Sequence, residues 1–289
     1  MRYYILKALL KLFGALPLCV QRVLGAFVGV VMHYVVRYRL KVVRSNLRLA
    51  FPEASDAELR RYERGFYRHF GRIVAETVWM GACGPRRFAR SGVLHQTNPE
   101  LMRSLWEESE SGVVLLYSHN CNWEIIGGLT SGRQGGFGEE DTVVAYRRVK
   151  DPVWDRIFAE NRTHCLPVKF EGYTETSSLV RRVLSGRGKR QCLIMITDQK
   201  PYKGFHCPTE VEFFGRRVST MDGGASLALK LGMKVAYLSL RQTRRGYDLT
   251  YIPVEGSTVQ EIMDRYYRLL EEDIRRDPCT YLWSHRRWK

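Results

Sequence analysis

The chain has 289 residues, 45% of them hydrophobic, enough for one large α/β domain with a sizeable core. Its formal charge of +16 calls for anionic partners, whether nucleic acid, acidic lipid headgroups or an acidic carrier protein. The seven cysteines (Cys19, Cys83, Cys121, Cys165, Cys192, Cys207 and Cys279) are scattered without a C-x-x-C pair, which argues against a disulfide framework or a zinc site and for a reducing compartment.

Residues 1–20 carry Ile5, Leu6, Leu9, Leu10, Leu12, Phe13 and Leu16, with Arg2, Lys7 and Lys11 between them. Lysines at that depth break a signal-peptide core, and Leu16-Pro17-Leu18-Cys19 lacks the small residues of a lipoprotein cleavage box. After Gln21-Arg22, the 14-residue apolar stretch from Val23 to Val36 falls short of the roughly 20 residues of a clean spanning helix. An amphipathic or partly embedded interfacial segment fits these facts. A single span would bury Arg22, and a helix covering an apolar groove of the protein itself is the other alternative. Arg37, Arg39, Lys41, Arg44 and Arg48 follow. Each basic residue near an anionic leaflet contributes roughly 1 kcal/mol, and the positive-inside rule places the following domain in the cytoplasm. The chain thus divides into a membrane-associating segment, 1–36, and a domain, 37–289.

Leu59, Tyr62, Phe66, Phe70, Ile73, Val74 and Val78 recur at helical spacing and predict an amphipathic helix over 57–80. Val113–Tyr117, Thr142–Tyr146, Leu166–Phe170, Gln191–Thr197 and Met233–Leu240 predict strands, alternating with helices over Asp151–Arg162, Thr174–Leu184 and Gly223–Leu231. Thr258–Arg276 predicts a final helix, and Gly132–Gly138 a flexible surface turn without phosphate-loop spacing. The fold expected is α/β, with a central, mostly parallel or mixed sheet flanked by helices.

The stretch most informative about function is Ser118-His119-Asn120-Cys121-Asn122-Trp123-Glu124, directly behind the first strand. Chemistry in α/β folds sits at the carboxyl edge of the sheet. Residues five apart on one helix lie about 140° apart and do not face each other. His119 and Glu124 therefore meet only if His119 is in the strand-to-helix turn and Glu124 in the first helical turn, with Asn122 as a cap at the junction. A carboxylate orienting an imidazole makes a general base.

This segment resembles the H-x4-D/E motif of glycerolipid acyltransferases, in the His-x-x-Asn-Trp-Glu form of the lipid A late acyltransferases (lauroyl and myristoyl transferases). Further blocks agree in order: Arg44-Ser45-Asn46-Leu47-Arg48-Leu49-Ala50-Phe51-Pro52; Tyr146-Arg147 with Asp155 and Arg162; Asp198-Gln199, then Phe213-Phe214-Gly215 and Thr220; and the ending Tyr281-Leu282-Trp283-Ser284-His285-Arg286-Arg287-Trp288-Lys289. Lys200-Pro201 and Cys121 depart from the pattern. The resemblance implies an O-acyltransferase of the bacterial inner membrane, on its cytoplasmic face, moving a fatty acyl chain from an acyl carrier protein thioester (or acyl-coenzyme A) to a hydroxyl of a lipid A precursor. Another lipid acceptor, such as a lysophospholipid, an amino-acid lipid or a glycolipid, is the alternative.

On this reading His119 and Glu124 form the catalytic dyad, and Arg147, at a strand end, is the oxyanion donor, with a solvated or phosphate-binding side chain as the alternative. Arg162 is expected to bind a substrate phosphate. Asn122 either orients His119 or caps the helix, and Trp123 lines the substrate site with Asp198 and Gln199, a pair that ends another strand at the same sheet edge as His119 and either binds acceptor hydroxyls or only satisfies a buried turn. Phe213-Phe214 and Trp123 are either an acyl channel or ordinary core. A nucleophilic Cys121 activated by His119 is a competing idea. No metal or organic cofactor is implied. Nucleic acid is not the expected partner, because the basic residues concentrate beside the apolar N-terminal segments and no nucleic-acid-binding signature appears.

Overall fold

The computed structural model describes residues 1–289 except 139, 148, 166–169, 174–175, 187, 202–206 and 289; side chains are also outside it for 127, 131–133, 147, 163–165, 170–173 and 176–178. Helices are α1 (Arg2–Gly14), α2 (Leu18–Val30), α3 (Leu40–Ala50), α4 (Asp56–Ala82), α5 (Pro85–Ser91), α6 (Pro99–Glu108), α7 (Pro152–Cys165), α8 (Thr176–Ser185), α9 (Gly223–Leu231) and α10 (Val259–Arg276). Strands are β1 (Leu94–Gln96), β2 (Gly112–Tyr117), β3 (Thr142–Arg147), β4 (Phe170–Tyr173), β5 (Gln191–Ile196), β6 (Glu210–Glu212), β7 (Arg217–Ser219), β8 (Lys234–Gln242) and β9 (Tyr247–Pro253).

Seven strands form one sheet in the order β1-β9-β8-β2-β5-β3-β4, and β6 and β7 form a separate antiparallel pair. The five strands from β8 to β4 run parallel, while β9 turns back antiparallel to β8 and carries β1 alongside. The architecture is the α/β one expected. Strand β2 lies at its centre, every residue buried, and its alternation assigns side chains to two cores. Val114 and Leu116 face the core built with α3, α9 and α10, and Val113, Leu115 and Tyr117 face the core built with α5 and α6. Helix α4 reaches both, with Phe66 and Tyr67 in the first and Trp79 and Met80 in the second. It starts on a capping box, Ser55 accepting from the Glu58 amide while Glu58 reaches back to the Ser55 amide.

Several expectations change. β9, β1, β6 and β7 were not expected, nor were α3, α5 and α6. The strand expected over 166–170 lies outside the described residues up to 169, and β4 begins at Phe170. The expected surface turn at 132–138 is not simply superficial: Phe137 is buried against Trp106, ring centroids 5.7 Å apart.

The N-terminal segment differs most. The helix begins at Leu18 and continues through a wide turn to Val35, giving 18 residues of mean hydropathy 1.6, long and apolar enough to cross a membrane. It does not break at Gln21-Arg22, because the Arg22 guanidinium turns inward to the buried carboxylate of Glu76, 2.8 Å away. One face of α2 lies directly on α4. A methyl group at Gly25 would stand 2.7 Å from the carbonyl oxygen of Gly71, an approach only small residues permit. The opposite face leaves Val20, Val23, Leu24, Phe27 and Val30 exposed, beside Tyr4, Ile5, Leu9, Leu12 and Phe13 of α1. α1 is fastened to α7 by Arg2 to Asp151 (2.9 Å) and by Tyr3 and Lys7 to Glu160.

Candidate active site

Strands β2 and β5 are adjacent, parallel and in register, so Tyr117 and Ile196 are partners at their carboxyl ends. Two residues further along each chain stand His119 and Asp198. Nδ1 of His119 lies 2.8 Å from Oδ1 of Asp198. The tyrosines of α10 hold both strand ends in place: Tyr266 donates to the carbonyl of Tyr117 and Tyr267 to that of Thr197. The C-terminal residues fix the turn itself. The amide of Leu282 donates to the His119 carbonyl, the amide of Cys121 to the Thr280 carbonyl, and Thr280 Oγ1 to Asn120 Oδ1. Between these ties the backbone of Cys121 takes the left-handed conformation, φ 58°, a strained state for a non-glycine residue.

Asp198 is fully buried. Burial alone would raise its carboxyl, but the neighbouring His119, by charge and hydrogen bond, and the Arg287 cation beyond hold it below the ordinary carboxylate value. An ionised carboxylate only accepts, so Nδ1 carries a hydrogen, and in the neutral form of the ring the lone pair is on Nε2. The side-chain amide of Gln199 lies 3.3 Å from Nε2, and the Trp123 ring meets the imidazole edge-to-face at 5.0 Å. His119 keeps 16% of its side chain exposed.

The orienting partner is thus not the one expected. Glu124 sits in the first turn of the 3₁₀ segment Trp123–Arg133, and its carboxylate is taken by Arg162 of α7 in a two-pronged ion pair, 2.8 and 2.7 Å. Burial would lower the Arg162 guanidinium, but the hydrogen bond and charge of Glu124, together with Tyr146 and Asp155, raise it above its ordinary value. Arg162 also lies over the rings of Tyr146 and Phe158. Here it serves Glu124 rather than standing open for a phosphate. Asn122 caps as one alternative had it: its Oδ1 accepts from the Glu124 amide while its Nδ2 donates to Glu76, and it is wholly buried. Arg147 ends β3 on the same sheet edge, and its side chain lies outside the described residues.

The competing nucleophile fares badly. Burial pushes the Cys121 thiol up to about 12, and Sγ donates to the Leu240 carbonyl. Phe213 and Phe214 pack with Trp283, Tyr267 and Trp288 in the core, so they do not line an open channel. Two residues of the C-terminal segment join the site, neither expected to carry a role there. Burial holds His285 below the usual imidazole value close to Asp198 and His119, and Arg287 is 3% exposed, donating to Ser219 and Tyr267.

An imidazole held by a buried carboxylate at the carboxyl edge of the sheet is an arrangement that suits acyl transfer. The family model described as bacterial lipid A biosynthesis acyltransferase matches residues 1–289, the whole chain. The chain belongs to that family. Four of the blocks singled out in the sequence, around Asn46, His119, Asp198 and Trp283, are joined in this member: His119 meets Asp198, Leu282 donates to the His119 carbonyl, and Asn46 donates to the carbonyls of Trp283 and His285. No curated protein matches the chain.

Proposed function

We propose that this acyltransferase moves a fatty acyl group from an acyl carrier protein thioester to a hydroxyl of a lipid A precursor, at the cytoplasmic face of the inner membrane. The observation that carries the reading is the His119–Asp198 pair, with Nδ1 held by the carboxylate and Nε2 met only by the Gln199 amide at 3.3 Å. Nε2 takes the proton of the acceptor hydroxyl as its oxygen attacks the thioester carbonyl. Asp198 balances the charge of the imidazolium. The tetrahedral intermediate then collapses, the carbon–sulfur bond breaks, and the carrier thiolate takes the proton from the imidazolium. Ester and free thiol result. General-base catalysis of this kind supplies about 10²–10⁴-fold, roughly 3–5 kcal/mol of barrier.

Arg147 is proposed for the oxyanion because its strand delivers it to the same edge. The Glu124–Arg162 pair is proposed to brace the turn carrying His119 and Trp123 against α7. The basic run Arg37 to Arg48 and the net charge suit both an acidic carrier and the phosphates of the acceptor. The apolar outer faces of α1 and α2 would hold the site at the membrane where such acceptors reside.

The test is transfer in detergent from carrier-protein thioesters of several chain lengths to radiolabelled tetra-acylated lipid A precursor, with coenzyme A thioesters and a panel of phospholipid and aminolipid acceptors alongside. Product on the lipid A precursor with the carrier thioester is expected. Product only on another lipid would overturn the acceptor, and product only from coenzyme A thioesters would overturn the donor.

A further inference from the structure

Glu76, in the last third of α4, is 0% exposed, and nothing in the proposed mechanism uses it. Its two oxygens are divided. Oε1 accepts from Nε of Arg22 on α2 and Nε of Arg72 on its own helix, both at 2.8 Å. Oε2 accepts from Nδ2 of Asn122 at 2.8 Å and from the Tyr247 hydroxyl of β9 at 2.7 Å. Four donors fill a carboxylate's acceptor sites. Burial would raise this carboxyl, but the Arg72 charge and the other donors hold it below its ordinary value, so it stays an acceptor. Removing one partner from such a buried set leaves the others uncompensated.

The Asn122 arm is the one that leads to the chemistry. Asn122 spends its other end capping the Glu124 amide, and Glu124 in turn is gripped by Arg162. Asn122 also stands three residues from His119, past the strained Cys121. Fixing the Asn122 amide fixes where the turn leaves its left-handed residue. We propose that Glu76 is a positioning residue for this acyl transfer: held by Arg22 and Arg72, it sets the turn from His119 to Glu124 by gripping Asn122. The same carboxylate makes the apolar helix α2, through Arg22, part of the frame of the site. The proposal rests on the functional reading above, so its test includes a measurement that needs no substrate.

The experiment compares the full-length enzyme with Glu76→Gln, Asn122→Ser and Tyr247→Phe in detergent, by hydrogen exchange of the amides of residues 119–126 and by acyl transfer. Serine keeps a capping oxygen at 122 but loses the arm to Glu76. Tyr247→Phe removes an equally short bond to the same carboxylate without touching the turn. Glu76→Gln and Asn122→Ser are expected to speed exchange over 119–126 about 10-fold and to lower kcat about 10-fold with KM unchanged. The double variant is expected to be no worse than the more impaired single one, since both cut one connection. Tyr247→Phe is expected to lower thermal stability while leaving that exchange and kcat within about twofold of wild type. The proposal is overturned if Asn122→Ser exchanges like wild type over this segment, which holds even if Glu76→Gln fails to fold. It is also overturned if Tyr247→Phe loses as much kcat as Glu76→Gln, or if the two losses multiply in the double variant. Should no acceptor show turnover, the functional reading falls and the exchange result still decides the role of Glu76.

Discussion

Asp198→Asn is expected to lower acyl transfer by about 10²–10⁴-fold while leaving the enzyme folded. Asparagine fills the same space between Thr197 and Gln199, and the strand pairing of β5 does not depend on its side chain. What changes is the hydrogen bond at Nδ1. The carboxylate can only accept, which keeps the hydrogen on Nδ1 and the lone pair on Nε2. An amide can also donate to Nδ1, which would move the hydrogen to Nε2 and leave no base facing the acceptor. It also removes the charge that would stabilise the imidazolium. The nitrogen spectrum of the histidine side chain would read this directly. His119 is expected in the Nδ1–H form in wild type and in Glu124→Gln, and to leave it in Asp198→Asn. If Glu124→Gln were the variant that changed the tautomer, the orienting role would belong to Glu124.

Trp283→Ala is expected to be the most destabilising single truncation of the C-terminal segment, at about 3–5 kcal/mol. Trp283 is fully buried, its ring packing edge-on to Phe51, Phe214 and Tyr281 and stacked against Trp288, and its indole nitrogen donates to the Pro278 carbonyl 2.6 Å away. The cavity left by the indole cannot close easily, because its walls come from α3, the turn after β6 and the chain end together. The same segment holds the site: Leu282 bonds to the carbonyl of His119, and Tyr281 bridges Asn120. Transfer is therefore expected to fall along with the unfolding midpoint, whereas Trp283→Phe should recover most of both. A truncation costing less than about 1 kcal/mol in denaturant titration would show that the chain end is not part of the core.

β2, β3, β5 and β8 were legible because they are largely buried and so appear as apolar runs; Val113–Tyr117 lies within one residue of β2. β9 was not, although Tyr247, Leu249 and Tyr251 alternate with Asp248 and Thr250. Its pattern is that of a strand with one wet face, and it follows a run expected to be uniformly buried. At the site, the nearness of Trp123 to His119 and the first-turn place of Glu124 were legible, though not the partner of Glu124, and the capping role of Asn122 followed from residue type and place. The partner of His119 was not. Its identity depends on β2 and β5 being neighbours in register, which places two residues 79 positions apart the same distance beyond paired strand ends. Chain order does not disclose strand order, so Asp198 could be placed on the right edge but not against the right nitrogen. Glu76 gave less signal still, a single carboxylate on a helix whose apolar stripe accounts for the helix without it.

The most direct test of acyl transfer by His119 is turnover of the folded His119→Ala variant beside wild type, with carrier thioester and lipid A precursor in detergent. Ester formed by wild type and reduced by at least about 10²-fold in the variant, at matched thermal stability, is the result predicted. A folded His119→Ala enzyme that turns over like wild type would contradict it.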